Sequence, residues 1–138
     1  MPAIPNNING VEIEFSDAVN TSVDQRVIDA LNKVVKPGIA SGHILNKIYI
    51  SSANDQHTSP SRHVQGDGKA VDISRINGNK MSVFYPGNAL VKAVVDAMQT
   101  EFESYIHRRE NFGPFMKKKL GNNHQVSGQG DHIHLSVN

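Results

Sequence analysis

The chain contains no cysteine. It can therefore form neither a disulfide framework nor a thiolate metal site, which leaves His, Asp and Glu as candidate metal ligands. It also lacks a strong excess of one charge, because 14 Lys and Arg balance 13 Asp and Glu to a formal net charge of +1. Nucleic-acid-binding domains usually have a basic excess. No apolar run approaches the roughly 20 residues of a membrane-spanning helix. We therefore expect neither a nucleic-acid nor a membrane partner.

The length and the N-terminal segment bound the domain organisation. A chain of 138 residues fits one domain, since domains commonly contain about 100–150 residues. Residues 1–10 are rich in Pro and Asn and show neither the basic start nor the apolar core of a secretory signal. We predict a single domain over 1–138, in which residues 1–10 form an extended N-terminal arm.

Alternating apolar and polar residues predict strands at residues 11–15, 45–52 and 132–137, and a short buried strand is predicted at 70–73. No internal repeat and no linker is evident. Together with two helices, these strands predict one α+β unit.

Helical periodicity appears twice. A capping box at Ser22 predicts a helix that ends at Pro37-Gly38, and Asn88 is a plausible N-cap for a helix with apolar positions up to Phe102. Residues 81–85 are predicted to be a strand or an extended loop, and the Gly-containing segment 111–130 a loop.

Two histidines lie two positions apart on the final predicted strand. Residues at i and i+2 of a strand project from the same face, so the imidazoles of His132 and His134 can converge on one point. A second cluster places His63 on a loop and Asp72 inside an apolar strand. A charged Asp is rarely buried unless it is paired or bound to a cation. Two imidazoles and one carboxylate, with a fourth position for water, make an open catalytic zinc site.

These residues resemble the signature of a known family. The pattern S-x-H-x-x-G-x-A-x-D, followed later by D/E-x-x-H, is that of zinc D-Ala-D-Ala carboxypeptidases and the related phage L-alanyl-D-glutamate endopeptidases. The resemblance runs from about Ile48 to the end of the chain. The matching residues are Ser61, His63, Gly66, Ala70 and Asp72 in the first half, and Asp131 and His134 in the second.

The resemblance implies a ligand set and a chemistry. His63, Asp72 and His134 would bind one Zn²⁺, with Asp131 as general base and His132 as a stabilising donor; the reverse assignment of the last two stays open. It also implies a hedgehog-like α+β domain, with an antiparallel sheet that carries the zinc site and helices packed on one side. The implied activity is metallopeptidase cleavage of bacterial peptidoglycan.

The spacing of the first half departs from the family pattern. His63 and Asp72 are separated by two residues more than in the family, and the addition lies in or near Gly66-Asp67-Gly68. A widened Gly turn absorbs this addition, so Asp72 is the favoured ligand and Asp67 the alternative.

Substrate recognition departs from the family as well. The family usually has an arginine in the segment that corresponds to residues 51–57, which here reads SSANDQH. Gln56, His57 and Arg62 are the candidate substrate-binding residues in its place, together with Ser61 of the motif. The missing cation favours the endopeptidase over the carboxypeptidase, because only the carboxypeptidase must bind a terminal carboxylate.

The expected partner is peptidoglycan, and the expected state is a monomer. Without a signal, a wall-cutting enzyme would remain in the cytoplasm of the producing host until lysis, or would travel in a virus particle. Two alternatives to the endolysin-type endopeptidase stay open: a D-Ala-D-Ala carboxypeptidase, and a catalytically inactive virion or wall-binding protein of the same fold.

Overall fold

The computed structural model describes residues 1–54 and 67–138. Within them the chain is a small single domain with one sheet of nine strands in the order β1-β2-β3-β4-β9-β6-β7-β8, and β5 pairs with β4. The elements are β1 Asn7–Ile8, β2 Val11–Phe15, α1 Gln25–Val34, β3 Lys47–Ser52, β4 Ala70–Ile76, β5 Asn79–Lys80, α2 Met81–Phe84, α3 Ala89–Phe102, β6 Arg108–Phe112, β7 Lys117–Lys119, β8 Asn122–Asn123 and β9 Ile133–Val137. The combination of helices with one mostly antiparallel sheet confirms the predicted α+β class.

Among the strands of the described residues, one pair is parallel. β2 and β3 run in the same direction, whereas the other paired strands are antiparallel. Parallel neighbours need a crossover connection. The segment between them contains α1, so that the helix is carried over the sheet before the chain returns as β3.

The two faces of β4 and β9 differ because side chains alternate along a strand. Their apolar side chains belong to one buried cluster with those of α1 and α3, and both helices contact β9. The residues of β4 and β9 in this cluster are Val71, Ile73, Ile76, Ile133, Leu135 and Val137. Fully burying one such side chain contributes roughly 1.5–3 kcal/mol. The cluster fixes the register that places Asp72 and His134 on the opposite face.

The helix starts are set by side-chain caps. Asn88 accepts a hydrogen bond from the backbone N–H of Val91 at 3.0 Å, which confirms it as the N-cap of α3. The predicted cap at Ser22 is wrong, because Asp24 accepts from the backbone N–H of Arg26 at 2.9 Å and α1 begins after it. The Asp24 carboxylate also binds the Arg26 guanidinium, an interaction that Ser22 could not supply.

Two further predictions are wrong. Residues 81–84 form the short helix α2 rather than a strand or loop, since a brief apolar segment has too few residues to reveal its period. The predicted loop 111–130 contains the end of β6 and all of β7 and β8. These strands are polar, so they lack the apolar alternation that marks a strand in sequence.

The first ten residues lie along the sheet. Ala3 bridges to Ser22, β1 pairs with β2, and the side chains of Ile4 and Ile8 are buried. In the described ranges, no helix combines the length and apolar character required to cross a membrane.

Candidate active site

Asp72 and His134 lie directly opposite each other on the paired strands β4 and β9. Asp72 Oδ1 is 2.9 Å from His134 Nδ1, and the two side chains are only 16% and 12% exposed. The apolar neighbours on either side of each residue point into the core and leave these two on the outer face. The carboxylate and the imidazole that the sequence predicts as metal ligands are therefore in direct contact.

His132 and Asp131 precede β9 in a bend. Within a strand, strict alternation would direct Asp131 to the opposite face from His134, so Asp131 can face the site only if it lies before the strand. Asp131 does lie before β9, in the bend. Its Oδ1 is 2.7 Å from His132 Nδ1, while His132 Nε2 is 4.0 Å from Asp72 Oδ1. His132 thus stands between the two carboxylates, and Asp131 is largely exposed to solvent, at 64%.

Glu110 is a site residue that sequence reasoning missed. Its Oε1 lies 3.0 Å from Nε2 of His134 and accepts a 2.9 Å hydrogen bond from Ser136 Oγ. The backbone N–H of Glu110 donates to the same Ser136 oxygen at 3.0 Å. The register of β6 against β9 shifts between Arg108 and Asn111, and such irregularities re-aim side chains. No local pattern around Glu110 signals this contact, since it depends on strand pairing.

The two carboxylates and the imidazole determine one another's charge. Burial would lower the pKa of His134, but hydrogen bonds and charge attraction from Asp72 and Glu110 outweigh it and raise the pKa to about 9. Burial would raise the pKa of Glu110, but its contacts with His134 and Ser136 and the charge of Arg109 lower it to about 2. The contact with the two carboxylates therefore favours the protonated over the neutral form of the His134 imidazole.

Two stacked ring pairs that share Phe112 border the site. Phe112 stacks on both His134 and His124, with centroid distances of 5.6 Å to each and interplanar angles of 17° and 15°. Beyond His124 is an open cleft of about 490 Å³. The residues that line it are Lys117, His124, Gln125, Val126 and Ser127. Phe112 therefore forms a wall against the face of the candidate ligand His134.

The remaining predicted site residues fall in one segment. His63, the third predicted ligand, and the predicted substrate-binding residues Gln56, His57, Ser61 and Arg62 lie in the segment 55–66, outside the described residues. The alternative ligand Asp67 is exposed in the turn before β4.

The donor chemistry can be compared with the needs of zinc. In 1–54 and 67–138, no group of three or more His, Asp or Glu side chains is arranged to hold a metal ion. Asp72 and His134 nevertheless offer one carboxylate oxygen and one imidazole nitrogen side by side, and zinc accepts both. This pair fits two corners of a His₂Asp site whose third donor would come from His63.

Comparison with known proteins gives no match to any family, curated protein or solved structure. The resemblance to zinc peptidases consequently depends on the motif residues themselves. What the fold adds is the contact between the two halves of that motif.

Proposed function

We propose that the chain is a zinc-dependent peptidase that hydrolyses peptide bonds in the peptidoglycan stem peptide, as an endolysin-type L-alanyl-D-glutamate endopeptidase. One observation carries the proposal: Asp72 and His134, which are 62 residues apart in sequence and belong to different halves of the motif, are in contact at 2.9 Å. Core packing alone gives no reason to place a carboxylate against an imidazole at paired positions of two central strands.

His63, Asp72 and His134 would hold the metal. A bound zinc ion lowers the pKa of a coordinated water from about 15.7 toward 7 and polarises a substrate carbonyl. The β4–β9 pairing supports this assignment, because it brings the backbones of Asp72 and His134 directly opposite each other. Rigid strands hold ligands more accurately than loops.

Asp131 would accept the proton of the attacking water, and His132 would stabilise the charge that develops. Asp131 is the base that the motif implies, and its solvent exposure gives it access to water. Its contact with Nδ1 orients the His132 ring so that Nε2 points toward Asp72. A carboxylate that takes a proton from water and an imidazole that stabilises developing charge are the two groups needed beside the ligands.

The testing experiment is digestion of purified peptidoglycan by zinc-loaded and chelator-treated protein, with released fragments identified by mass. Zinc-dependent release of fragments with a new N-terminal D-Glu is the expected result. The matched control variant is His43→Ala, because His43 lies in the turn before β3 and is not one of the proposed site residues. This variant should cleave peptidoglycan as the wild type does.

Other products would indicate other functions. Loss of a single D-Ala would identify a carboxypeptidase. Full zinc occupancy with no bond cut in any wall type would identify the catalytically inactive virion or wall-binding protein.

A further inference from the structure

We infer that Glu110 is a positioning residue that fixes the ring of His134 and directs its Nδ1 toward the metal. The inference rests on the proposed function, since it takes His134 to be a zinc ligand. Neither the motif nor the resemblance includes Glu110, which enters only through the contact of its carboxylate with His134 Nε2 at 3.0 Å.

The two nitrogens of His134 face different surroundings. Nδ1 faces Asp72 at 2.9 Å, and the ring of His132 approaches the same Asp72 oxygen at 4.0 Å. Asp72 and the ring of His132 therefore lie on the Nδ1 side. Nε2 lies at the other edge of the ring, 3.0 Å from Oε1 of Glu110. A metal held by Asp72 and His134 together would use Nδ1.

Glu110 is itself held in place. Ser136 donates to its carboxylate at 2.9 Å, and its backbone N–H donates back to Ser136 at 3.0 Å. Ser136 follows His134 by two positions on β9, so both project from the same face. Phe112, two positions after Glu110 on β6, stacks on the ring of His134. β6 thus contacts one edge and one face of the imidazole.

This arrangement supplies what a metal-binding imidazole needs. A neutral imidazole binds a metal through one nitrogen only if the other carries the proton. A carboxylate acceptor at Nε2 keeps the proton there, leaves the Nδ1 lone pair available and makes the ring a stronger donor. Removal of such an orienting partner typically lowers metal affinity or activity 10–100-fold.

The test is a zinc titration in competition with a chelator of known affinity, applied to wild type, Glu110→Ala, Glu110→Gln and Ser136→Ala. We expect Glu110→Ala to raise the zinc Kd about 10–100-fold at unchanged one-to-one stoichiometry. Glu110→Gln retains an acceptor oxygen, so its zinc affinity should fall less than that of Glu110→Ala. Ser136→Ala should show the smallest loss of zinc affinity. The matched control is Glu103→Gln. It removes a carboxylate that contacts Asn111, the residue after Glu110 on β6, and the variant should bind zinc as wild type does.

A second readout does not depend on affinity. In the zinc-loaded wild type, ¹⁵N spectra should show His134 with metal at Nδ1 and a slowly exchanging proton on Nε2, and Glu110→Ala should lose the protection of that proton. Circular dichroism checks that each variant is folded, and Ser136→Ala replaces Glu110→Ala if the latter is not.

The outcomes separate this inference from the proposed function. Unchanged zinc affinity and unchanged Nε2 protection in the folded Glu110 variants would overturn the positioning role and leave the peptidase proposal intact. Metal at Nε2 would overturn it too. If wild type itself binds no zinc, the proposed function fails first, and the inference fails with it.

Discussion

Gln99 of α3 and Asn111 of β6 form a reciprocal pair in the interior. Gln99 Nε2 donates to Asn111 Oδ1 at 3.0 Å, and Asn111 Nδ2 donates to the Gln99 carbonyl oxygen at 2.8 Å. Gln99 Oε1 also accepts from the backbone N–H of Phe115 at 3.0 Å. Both side chains are buried. The pair fastens β6 to α3 and thereby supports the strand that carries Glu110.

Replacement of Gln99 by Leu should lower the free energy of unfolding by about 2–4 kcal/mol, because Asn111 Oδ1 and the backbone N–H groups of Phe115 and Met116 lose the hydrogen bonds that the Gln99 side chain supplies. Urea denaturation measures this. The control is Gln25→Leu, since Gln25 is exposed and its side chain donates to the exposed Asp29; the free energy of unfolding should change by no more than about 0.5 kcal/mol. Equal effects in the two variants would contradict the structural role of Gln99.

Replacement of His134 by Ala should remove zinc binding and wall-cutting activity together. The reason is that the substitution deletes an imidazole in contact with the other described candidate ligand, Asp72. Metal content after dialysis and fragment release from peptidoglycan measure the two effects. His107→Ala, which changes an exposed histidine, is the control. Full zinc occupancy in the His134 variant would remove that residue from the ligand set.

Replacement of Asp131 by Ala should leave zinc bound but lower kcat by at least about 100-fold, as expected for a base that is not a ligand. His132→Ala should have a smaller effect on kcat. Steady-state kinetics on a soluble stem-peptide substrate, with metal content measured in parallel, compare the two. If activity survives in Asp131→Ala and disappears in His132→Ala, the two roles are exchanged.

Stability should depend on pH through Asp24. Its hydrogen bonds with the Arg26 side chain lower the pKa of the carboxyl from 3.8 to about 2 against the effect of burial. A lowered pKa in the folded state means that the stabilisation is complete above pH about 4 and disappears as the pH falls through about 2. Because the pair is partly exposed and screened by solvent, we expect about 1 kcal/mol.

The matching comparison is wild type against Asp24→Asn, which can still cap the helix. Urea unfolding from pH 7 to pH 2 should show a difference of about 1 kcal/mol at neutral pH that closes toward pH 2. A difference that stays constant over this range would show that the charge of Asp24 contributes nothing.

Replacement of Gly68 by Ala should destabilise the start of β4. Gly68 has a φ of +58°, and a Cβ there would lie 3.0 Å from the Cα of Val23. The left-handed backbone alone costs about 1–2 kcal/mol for a residue with a side chain. Gly38→Ala is the control, because Gly38 has open space around it and no positive φ. Thermal unfolding measures the stability of both variants. Equal losses of stability in Gly68→Ala and Gly38→Ala would contradict this explanation.

The sequence predicted those parts of the fold that depend on local periodicity. β2 was predicted at its observed bounds, and α3 with its Asn88 cap followed from apolar spacing and a single side chain. β7, by contrast, consists of three lysines at an outer part of the sheet, where no apolar face has to be buried. Its identity as a strand depends on pairing with β6, which a local pattern cannot reveal.

The site follows the same division. The strand position of His134 and the placement of Asp131 before β9 could be reasoned from alternation, and the contact with Asp72 followed from the motif. Glu110 could not be found this way. It reaches His134 only because β6 lies on the far side of β9 and its register shifts at that point.

The position of β9 has a consequence for the order of folding. β9 is the last strand in the sequence, but in the sheet it lies between β4 and β6, which both precede it. Such pairings of distant segments form slowly, and unpaired edges invite association with other chains in the meantime. Before β9 inserts, Asp72 and Glu110 are not yet joined through His134. The insertion that closes the sheet therefore also assembles the candidate site, so a chain in which the sheet is incomplete has no assembled site.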